Sequence, residues 1–464
     1  MAVKLSALFF WVEPIKEIVW DAFWWVVLFL IILWVPFLRV WWWVLLPLML
    51  STQLKELYLW WLDWDFAYAK SKWKMLEIVP PKEVLIPFKA MEDVFNIVWA
   101  IWDGANWREK WVDGELDNSP FWCSWEIVSL EGKIHFYLRL LSAHRTSIET
   151  ALYAHYPDIE IREVSDYVNL VPPTVPNEEW DLYGEDFYQA KDPAYPIKTY
   201  EKFFEPQGER IAAEEKRIDP IISLLEGLSK LGPGEQYWMQ FITIPIADSD
   251  SSWRAGAQKI IDKISKRPEK KETTLIEDLF YVAKQLALGP EKEGSGEKAS
   301  YKWASQQKEE SGEREMVLTP GERELITDIE TKAKKAAFKV VLRGFYVAKR
   351  ENWKPSHKVL ARSYFMHFSQ QNLNRLGFSA VTRPKIHYIM RKRRAFIRAR
   401  KMYKNAVLRF TPMFPDREKF CAILSTEELA TLYHFPLRVS GMVAPTMSNV
   451  ESKKAGPPPN LPIE

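Results

Sequence analysis

The residues best suited to chemistry in this sequence are cations gathered in one late segment. Between Asn352 and Pro415 the chain contains no aspartate or glutamate, while lysine and arginine recur throughout. The centre of the segment, IHYIMRKRRAFIRARKMYKNAV, predicts a basic helix over 384–407 with aromatic residues interleaved among the cations. Such a surface can neutralise the phosphates of a nucleic acid and offer rings on which bases stack. The candidate binding residues are Lys385, Tyr388, Arg391, Lys392, Arg393, Arg394, Phe396, Arg398, Arg400, Lys401 and Lys404.

Two other interpretations of this segment stay open at the level of sequence. A cationic helix can lie against the headgroups of anionic lipids. It can also be a solvated helix that contacts acidic parts of the same protein or of a complex. The residue pattern alone does not decide among nucleic acid, lipid and protein.

A second candidate site is the segment LSTEELATLYHFP at 424–436. Ser425 and Glu428 have the spacing of a capping box, which predicts a short helix over 425–434. The proline-rich tail GPPPNLPIE favours polyproline II, so it loses little conformational entropy in a groove. We expect helix and tail to dock a partner protein, or else the helix to complete the core and the tail to remain free. The candidate docking residues are Glu428, Leu429, Leu432, Tyr433, Phe435, Pro436, Pro457, Pro458 and Pro459.

Motifs for nucleotide hydrolysis and for common hydrolases are missing from the sequence. The chain contains no GxxxxGK[ST], no GxSxG and no HExxH. We therefore expect no catalytic residue, no cofactor and no bound metal. The strings DWD at 63–65 and DSD at 248–250 match the metal-binding DxD of glycosyltransferases. They leave a membrane-bound, DxD-dependent glycosyltransferase as an alternative.

The overall charge of the chain gives no information about its partners. The 464 residues include 63 lysines and arginines against 61 aspartates and glutamates, so only the local distribution of charge is informative. The two cysteines, Cys123 and Cys421, lie in unrelated segments. A disulfide framework and a structural zinc site are therefore not expected, and a reducing compartment fits best.

A long apolar segment near the N-terminus predicts a membrane anchor. Residues 22–38 carry no charge, and the apolar run resumes after Arg39 as VWWWVLLPLML. About 20 apolar residues span a bilayer, so a transmembrane helix or a helical hairpin is expected. Basic residues between Lys55 and Lys74 favour a cytoplasmic position for the domains C-terminal to them. The sequence predicts an integral protein of the bacterial inner membrane whose soluble domains face the cytoplasm.

The elements that must position the candidate sites lie C-terminal to this anchor. Strands are predicted at 83–87, 122–129, 133–140 and 158–164, with amphipathic helices after the first and third of them. Glu131-Gly132 between the second and third strands predicts a hairpin. This β-α-β-β-α-β order is that of a ferredoxin-like split βαβ module. The order recurs in strands at 195–203, 236–246, 338–347 and 420–424, with helices near 219–231 and 357–371. Asp219-Pro220 predicts the start of the first of these helices, and 338–347 is the expected partner strand of 236–246.

The predicted fold class is therefore α+β, with an N-terminal transmembrane helix or helical hairpin followed by two tandem ferredoxin-like (split βαβ) modules. The second module carries long insertions. The predicted domains are a membrane anchor and juxtamembrane helix at 1–80, a first module at 81–190, a second module at 191–436 and a proline-rich disordered tail at 437–464. The second module includes a flexible insertion at about 266–318 and the basic helix at 384–407.

Several strings together carry a resemblance to a known group of proteins. They are PKEVLIPFKAMEDVFNIVWAIWDGANWREKW, FWCSWEIVSLEGKIHFYLR, YPIKTYEKF, RIDPIISLLEGLSKLGPGEQYWMQFITIPI, LTPGERELI, STEELATLYHFP and PPPNLPIE. The chain resembles membrane-anchored proteins of candidate-phyla (Patescibacteria) bacteria. Members of that group occur beside HerA/FtsK-type ATPases of conjugative type IV secretion, or resemble their N-terminal region. This sequence departs from the ATPases because the motor domain is absent.

The resemblance implies a non-catalytic platform subunit of a type IV secretion-like DNA-translocation machine. Its expected partners are the inner membrane, a separate P-loop ATPase of the HerA/FtsK type, DNA, and further copies of the chain in a homo-oligomer. The glycosyltransferase and a protein that binds only lipid surfaces remain the alternatives.

Overall fold

The computed structural model describes residues 71–80, 87–101, 122–203, 219–247, 253–265, 291–293, 300–302, 318–387, 390–412 and 421–436, with single positions between Trp34 and Val112. The chain divides into two compact units. One unit comprises 1–71 with 104–120, and the other comprises 72–103 with 121–464. Only isolated positions of the first unit are described, so the fold is defined for the second unit.

In the second unit, β-strands and α-helices are interspersed along the chain. The strands are β1 (Trp73–Val79), β2 (Cys123–Leu130), β3 (Lys133–Leu141), β4 (Glu160–Val164), β5 (Trp180–Gln189), β6 (Glu235–Ile246), β7 (Glu291–Glu293), β8 (Ser300–Lys302), β9 (Ala337–Lys349), β10 (Leu376–Phe378) and β11 (Ala422–Ser425). The α-helices are α1 (Pro87–Ala100), α2 (Arg145–His155), α3 (Tyr200–Phe203), α4 (Pro220–Ser229), α5 (Trp253–Ile264), α6 (Pro320–Lys334), α7 (Leu360–Met366), α8 (Arg391–Leu408) and α9 (Thr426–Leu432).

Nine of the strands form one antiparallel sheet. Its order is β10-β5-β9-β6-β2-β3-β1-β4, and β11 pairs with β9 beside the end of β5. At its centre β2 pairs with β6 along its whole length, with Trp125 opposite Phe241 and Ile127 opposite Met239. From this central pair outward, one half follows as β2, β3, β1 and β4, and the other half follows as β6, β9, β5 and β10. The two halves therefore share one arrangement, in which the second strand of the half is central and the fourth is at the edge.

The predicted hairpin around Glu131 and Gly132 is confirmed. It joins β2 to β3, and both turn residues have positive φ, 54° and 88°. A two-residue turn with both φ positive matches the twist of the strands it connects. Glycine is required at the second position, because an added Cβ would lie 2.7 Å from the backbone oxygen of Leu231.

The predicted α+β class is confirmed, but the two tandem modules do not form separate sheets. The pairing of β2 with β6 joins them into one continuous sheet, which crosses the proposed boundary at 190. The first strand is β1 and not 83–87, so it lies inside the region 1–80 assigned to the anchor. Residues 195–203 contain no strand; the corresponding strand is β5.

The predicted transmembrane helix is also not shown. Among the described residues, none of the helices combines the length and apolar character needed to cross a bilayer. Residues 22–50, on which the anchor and the membrane location were predicted, lie outside the described residues apart from isolated helical positions. The predicted insertion at 266–318 lies largely outside them too, and includes the described pair β7 and β8.

The sheet is covered on both faces. The first face carries Leu76, Trp125 and Phe241 and packs against helices α1, α2, α4, α7 and α9. The second face carries Val128, Trp238 and Phe345 and packs against α8 and the segment 167–175. Because both faces are buried, all positions of β6 are buried, which explains its almost continuous run of apolar residues.

Candidate nucleic-acid interface

The basic helix is α8, and one side of it packs against the second face of the sheet. The side chains of Ala399, Met402, Tyr403 and Ala406 recur at helical spacing and are buried against the second face. The Tyr403 ring lies 6.4 Å from that of Trp238, between centroids. Its hydroxyl donates to the Pro172 carbonyl at 2.8 Å, and burial raises the pKa of Tyr403 to about 12, which keeps this donor protonated.

Gly184 in the sheet allows the helix to pack this closely. A Cβ on Gly184 of β5 would collide with Sδ of Met402 and lie 2.9 Å from the Phe345 ring. The absent side chain leaves space for the helix to approach the strand closely.

Polar side chains of the sheet bind the C-terminal end of the basic helix. Arg343 on β9 donates to the carbonyl oxygens of Asn405 and Phe410 at 2.9 and 3.0 Å. Its Nε donates to Oδ1 of Asp186 at 2.7 Å, and the Arg343 side chain is fully buried. Gln240 on β6 donates to the Ala406 carbonyl at 3.0 Å. The last carbonyls of a helix carry partial negative charge, so a cation there is favourable.

A second buried arginine ends the helix. Arg409 has φ of 57°, the left-handed conformation common at helix C-termini. Its guanidinium lies 2.9 Å from Glu126 and 2.6 Å from Asp166. Burial alone would lower the pKa of Arg409, but Glu126, Tyr167 and Asp166 outweigh it and hold that pKa above its usual range. Arg409 is therefore a charged anchor of the helix and not part of its surface.

The opposite side of the basic helix is exposed. The helix contains no acidic residue. Within the described part of the chain, no ion pair to a carboxylate is made by the exposed cations of the predicted site, which are Lys385, Arg391, Lys392, Arg393, Arg400, Lys401 and Lys404. We call this surface, from Arg391 to Lys404, the cationic face. Solvated cations without carboxylate partners are free to bind phosphate.

The remaining predicted residues of this site have other positions. Arg398 is half-buried and donates to the Ala380 and Arg383 carbonyls, so it supports the preceding loop. Arg394 is half-buried, and Tyr388 lies outside the described residues. The helix begins at Arg391, later than the predicted 384, so Lys385 precedes it.

One flank of the cationic face borders a shallow groove of about 610 Å³. The groove is lined by Pro176, Asn177, Glu178, Arg350, Phe396 and Arg400. The Phe396 ring is 44% exposed, and the guanidinium of Arg400 lies 4.9 Å from its centroid. Sequence reasoning missed Arg350 and the segment 176–178, because they are far from the basic helix along the chain and no motif marks them.

The second candidate site does not present the predicted surface. The capping box of Ser425 and Glu428 is confirmed. However, the side chains proposed for docking belong to the core, because Glu428, Leu429, Leu432, Tyr433 and Phe435 are fully buried. Pro436 is half-buried, and Pro457, Pro458 and Pro459 lie outside the described residues.

Glu428 has a structural function in place of docking. One of its carboxylate oxygens accepts from the Ile197 amide at 2.7 Å, and the other accepts from the Ser425 amide at 2.8 Å. Lys332 of α6, also buried, lies 3.0 Å from the same carboxylate. Glu428 thus ties α9 to α6 and to the segment before α3.

The described residues contain no group of three or more histidine, cysteine, aspartate or glutamate side chains able to hold a metal ion. Both DxD strings, at 63–65 and 248–250, lie outside them.

No protein-family model and no curated protein matches this chain. The function is therefore inferred from the geometry of the cationic face and its groove.

Proposed function

We propose that this protein is a non-catalytic, nucleic-acid-binding platform subunit of a DNA-translocation machine that works with a separate HerA/FtsK-type ATPase. The observation that carries the proposal is the set of exposed cations on the cationic face (Arg391, Lys392, Arg393, Arg400, Lys401 and Lys404), for which no ion pair to a carboxylate is seen among the described residues. The buried side of the same helix is fixed to the sheet, so the cations are presented on a rigid element.

The geometry of this face suits a phosphate backbone. Arg393, Arg400, Lys401 and Lys404 are exposed and lie within about three turns of the helix. At 1.5 Å per residue they extend over about 17 Å, which is long enough to follow several phosphates of one strand. Contacts of this kind are independent of base sequence, as expected of a protein that handles DNA in transit.

The ATPase partner rests on the sequence resemblance. Since the side chains of α9 are buried, docking of an ATPase would use the tail after Pro436, with the polyproline character of 456–462 as its support.

The proposal is tested by the salt dependence of binding. The full chain is titrated with a labelled oligonucleotide across salt concentrations, and compared with a variant in which Arg391, Arg393, Lys401 and Lys404 are changed to Gln. Each phosphate contact contributes about 0.7–0.9 to the slope of log affinity against log salt, so the slope should fall by about 3.

A matched control changes the same number of exposed cations elsewhere. Lys133, Lys259, Lys263 and Arg323 are exposed, lie on β3, α5 and α6, and form no ion pair to a carboxylate among the described residues. Their substitution by Gln alters the net charge equally and should leave the slope as in the wild type. Equal slopes for the wild type and the cationic-face variant would refute nucleic-acid binding by this face.

A further inference from the structure

The groove beside the basic helix has the features of a site for one nucleotide of a single strand. Its volume, about 610 Å³, falls within the range of about 300–1,000 Å³ typical of small-molecule sites. It opens to solvent at the flank of the cationic face, where a bound backbone would pass. What distinguishes it from the rest of that face is an exposed aromatic ring between two arginines.

The aromatic ring is Phe396. The helix carries one other aromatic residue, Tyr403, which is buried against the sheet, whereas Phe396 is 44% exposed in the groove. A base stacked on an aromatic ring gains about 1–3 kcal/mol whatever its identity. The faces of bases are covered by their neighbours in a duplex, so this contact is available only to unpaired bases.

The two arginines reach the groove from separate elements. Arg400 projects from the basic helix, with its guanidinium 4.9 Å from the Phe396 centroid. Arg350 follows β9 directly, and its Nε donates to the Asn177 carbonyl at 3.0 Å. Asp181 lies 3.7 Å from another Arg350 nitrogen, at a distance where the pairing is loose. Two guanidinium groups provide planar, multidentate donors for one phosphate.

The opposite wall is a rigid turn that carries a carboxylate. The side-chain oxygen of Asn177 accepts from the amides of Glu179 and Trp180 at 3.0 and 2.7 Å, which fixes the turn. Glu178, which lies between Asn177 and Glu179 in the chain, is exposed in the groove. Its carboxylate repels a phosphate and can accept a hydrogen bond from the amino group of a base, so it orients the nucleotide.

We propose that this groove binds a single-stranded nucleic acid, with one base stacked on Phe396 and its phosphate held by Arg350 and Arg400. The inference rests on the proposed function and deepens it, because it names the unpaired strand as the ligand. The cationic face supplies the affinity for phosphates in general. The groove supplies the preference for single strands over duplex.

The test compares three probes on the full chain. Fluorescence anisotropy measures binding of a labelled single-stranded oligonucleotide and of the duplex of the same length, and co-sedimentation measures binding to vesicles of anionic phospholipid. Phe396→Leu keeps an apolar side chain and removes the ring, while Phe396→Trp keeps a ring. Phe396→Leu should weaken single-strand binding by about 5- to 150-fold and leave duplex binding unchanged. Phe396→Trp should bind the single strand at least as tightly as the wild type.

Two results would overturn the inference while leaving the proposed function intact. In one, Phe396→Leu binds the single strand as the wild type does, while the four-cation variant is weakened. In the other, the wild type binds duplex and single strand equally. Binding to anionic vesicles but to neither oligonucleotide would refute the proposed function as well, and would identify the cationic face as a lipid-binding surface.

Discussion

The two faces of the sheet are covered in different ways. On the first face, helices α1, α2, α4, α7 and α9 pack through apolar and aromatic side chains into one large core. On the second face, the basic helix buries few side chains, and the arginines of β9 and of its own C-terminus hold its end. Both faces combine apolar burial with buried charge, since Glu428 of α9 pairs with buried Lys332, but on the second face the buried arginines bind the end of the helix itself.

This difference explains how the protein can carry so concentrated a charge. A helix with many cations and no acidic residue is repelled by its own charge and is a poor helix in isolation. Tyr403 and Met402 bury apolar surface against the sheet, while Arg343 and Gln240 donate to carbonyl oxygens near the C-terminal end of the helix. We infer that the second face is the functional one and that the first serves stability.

The largest expected effect comes from removing the buried charge of the second face. Arg343→Met leaves the buried Asp186 carboxylate unpaired and removes the donors to Asn405 and Phe410. Loss of one partner of a buried ion pair costs about 3–5 kcal/mol, so the free energy of unfolding should fall by that amount. Chemical denaturation followed by fluorescence measures it.

A double variant sharpens this prediction. Arg343→Met combined with Asp186→Leu removes both charges and should recover part of the lost stability, since no isolated carboxylate remains. The two carbonyls of the helix stay without their donor, so recovery is incomplete. A single Arg343→Met variant that loses less than about 1 kcal/mol would show that the helix does not depend on buried charge.

A smaller effect is expected on the first face. Ser425→Ala removes the oxygen that caps α9 and accepts from the Glu428 amide. Loss of a helix cap costs about 0.5–2 kcal/mol, and binding of nucleic acid should not change. Thr319→Ala, which removes the exposed capping box of α6, is the matched control and should also leave binding unchanged. Weakened binding in the Ser425→Ala variant, with unchanged binding in Thr319→Ala, would show that the first face also contributes to binding.

The sequence predicted local elements well because their signals are local. Asp219 and Pro220 open α4, and the Glu131-Gly132 turn joins β2 to β3, as predicted. The pairing of 236–246 with 338–347 was predicted from the recurring order of elements and is confirmed.

The predictions failed where distant contacts decide the structure. Strand β5 was not predicted, because Glu185 and Asp186 are of residue types that are usually exposed. In the structure both are buried, and they pair with Arg362 and Arg343 respectively. The buried position of Arg409 was not predicted either, because its partners Glu126 and Asp166 are far from it along the chain. The groove could not be predicted either, since its walls come together only through the sheet.

Binding of nucleic acid to the cationic face is tested most directly by mapping where the two molecules touch. A photoreactive single-stranded oligonucleotide is crosslinked to the full chain, and the modified peptides are identified by mass spectrometry. We expect crosslinks at Phe396 and its neighbours on the basic helix, together with the groove wall at 176–178 and Arg350. Crosslinks confined to other parts of the chain, with none on the basic helix, would contradict nucleic-acid binding by this face.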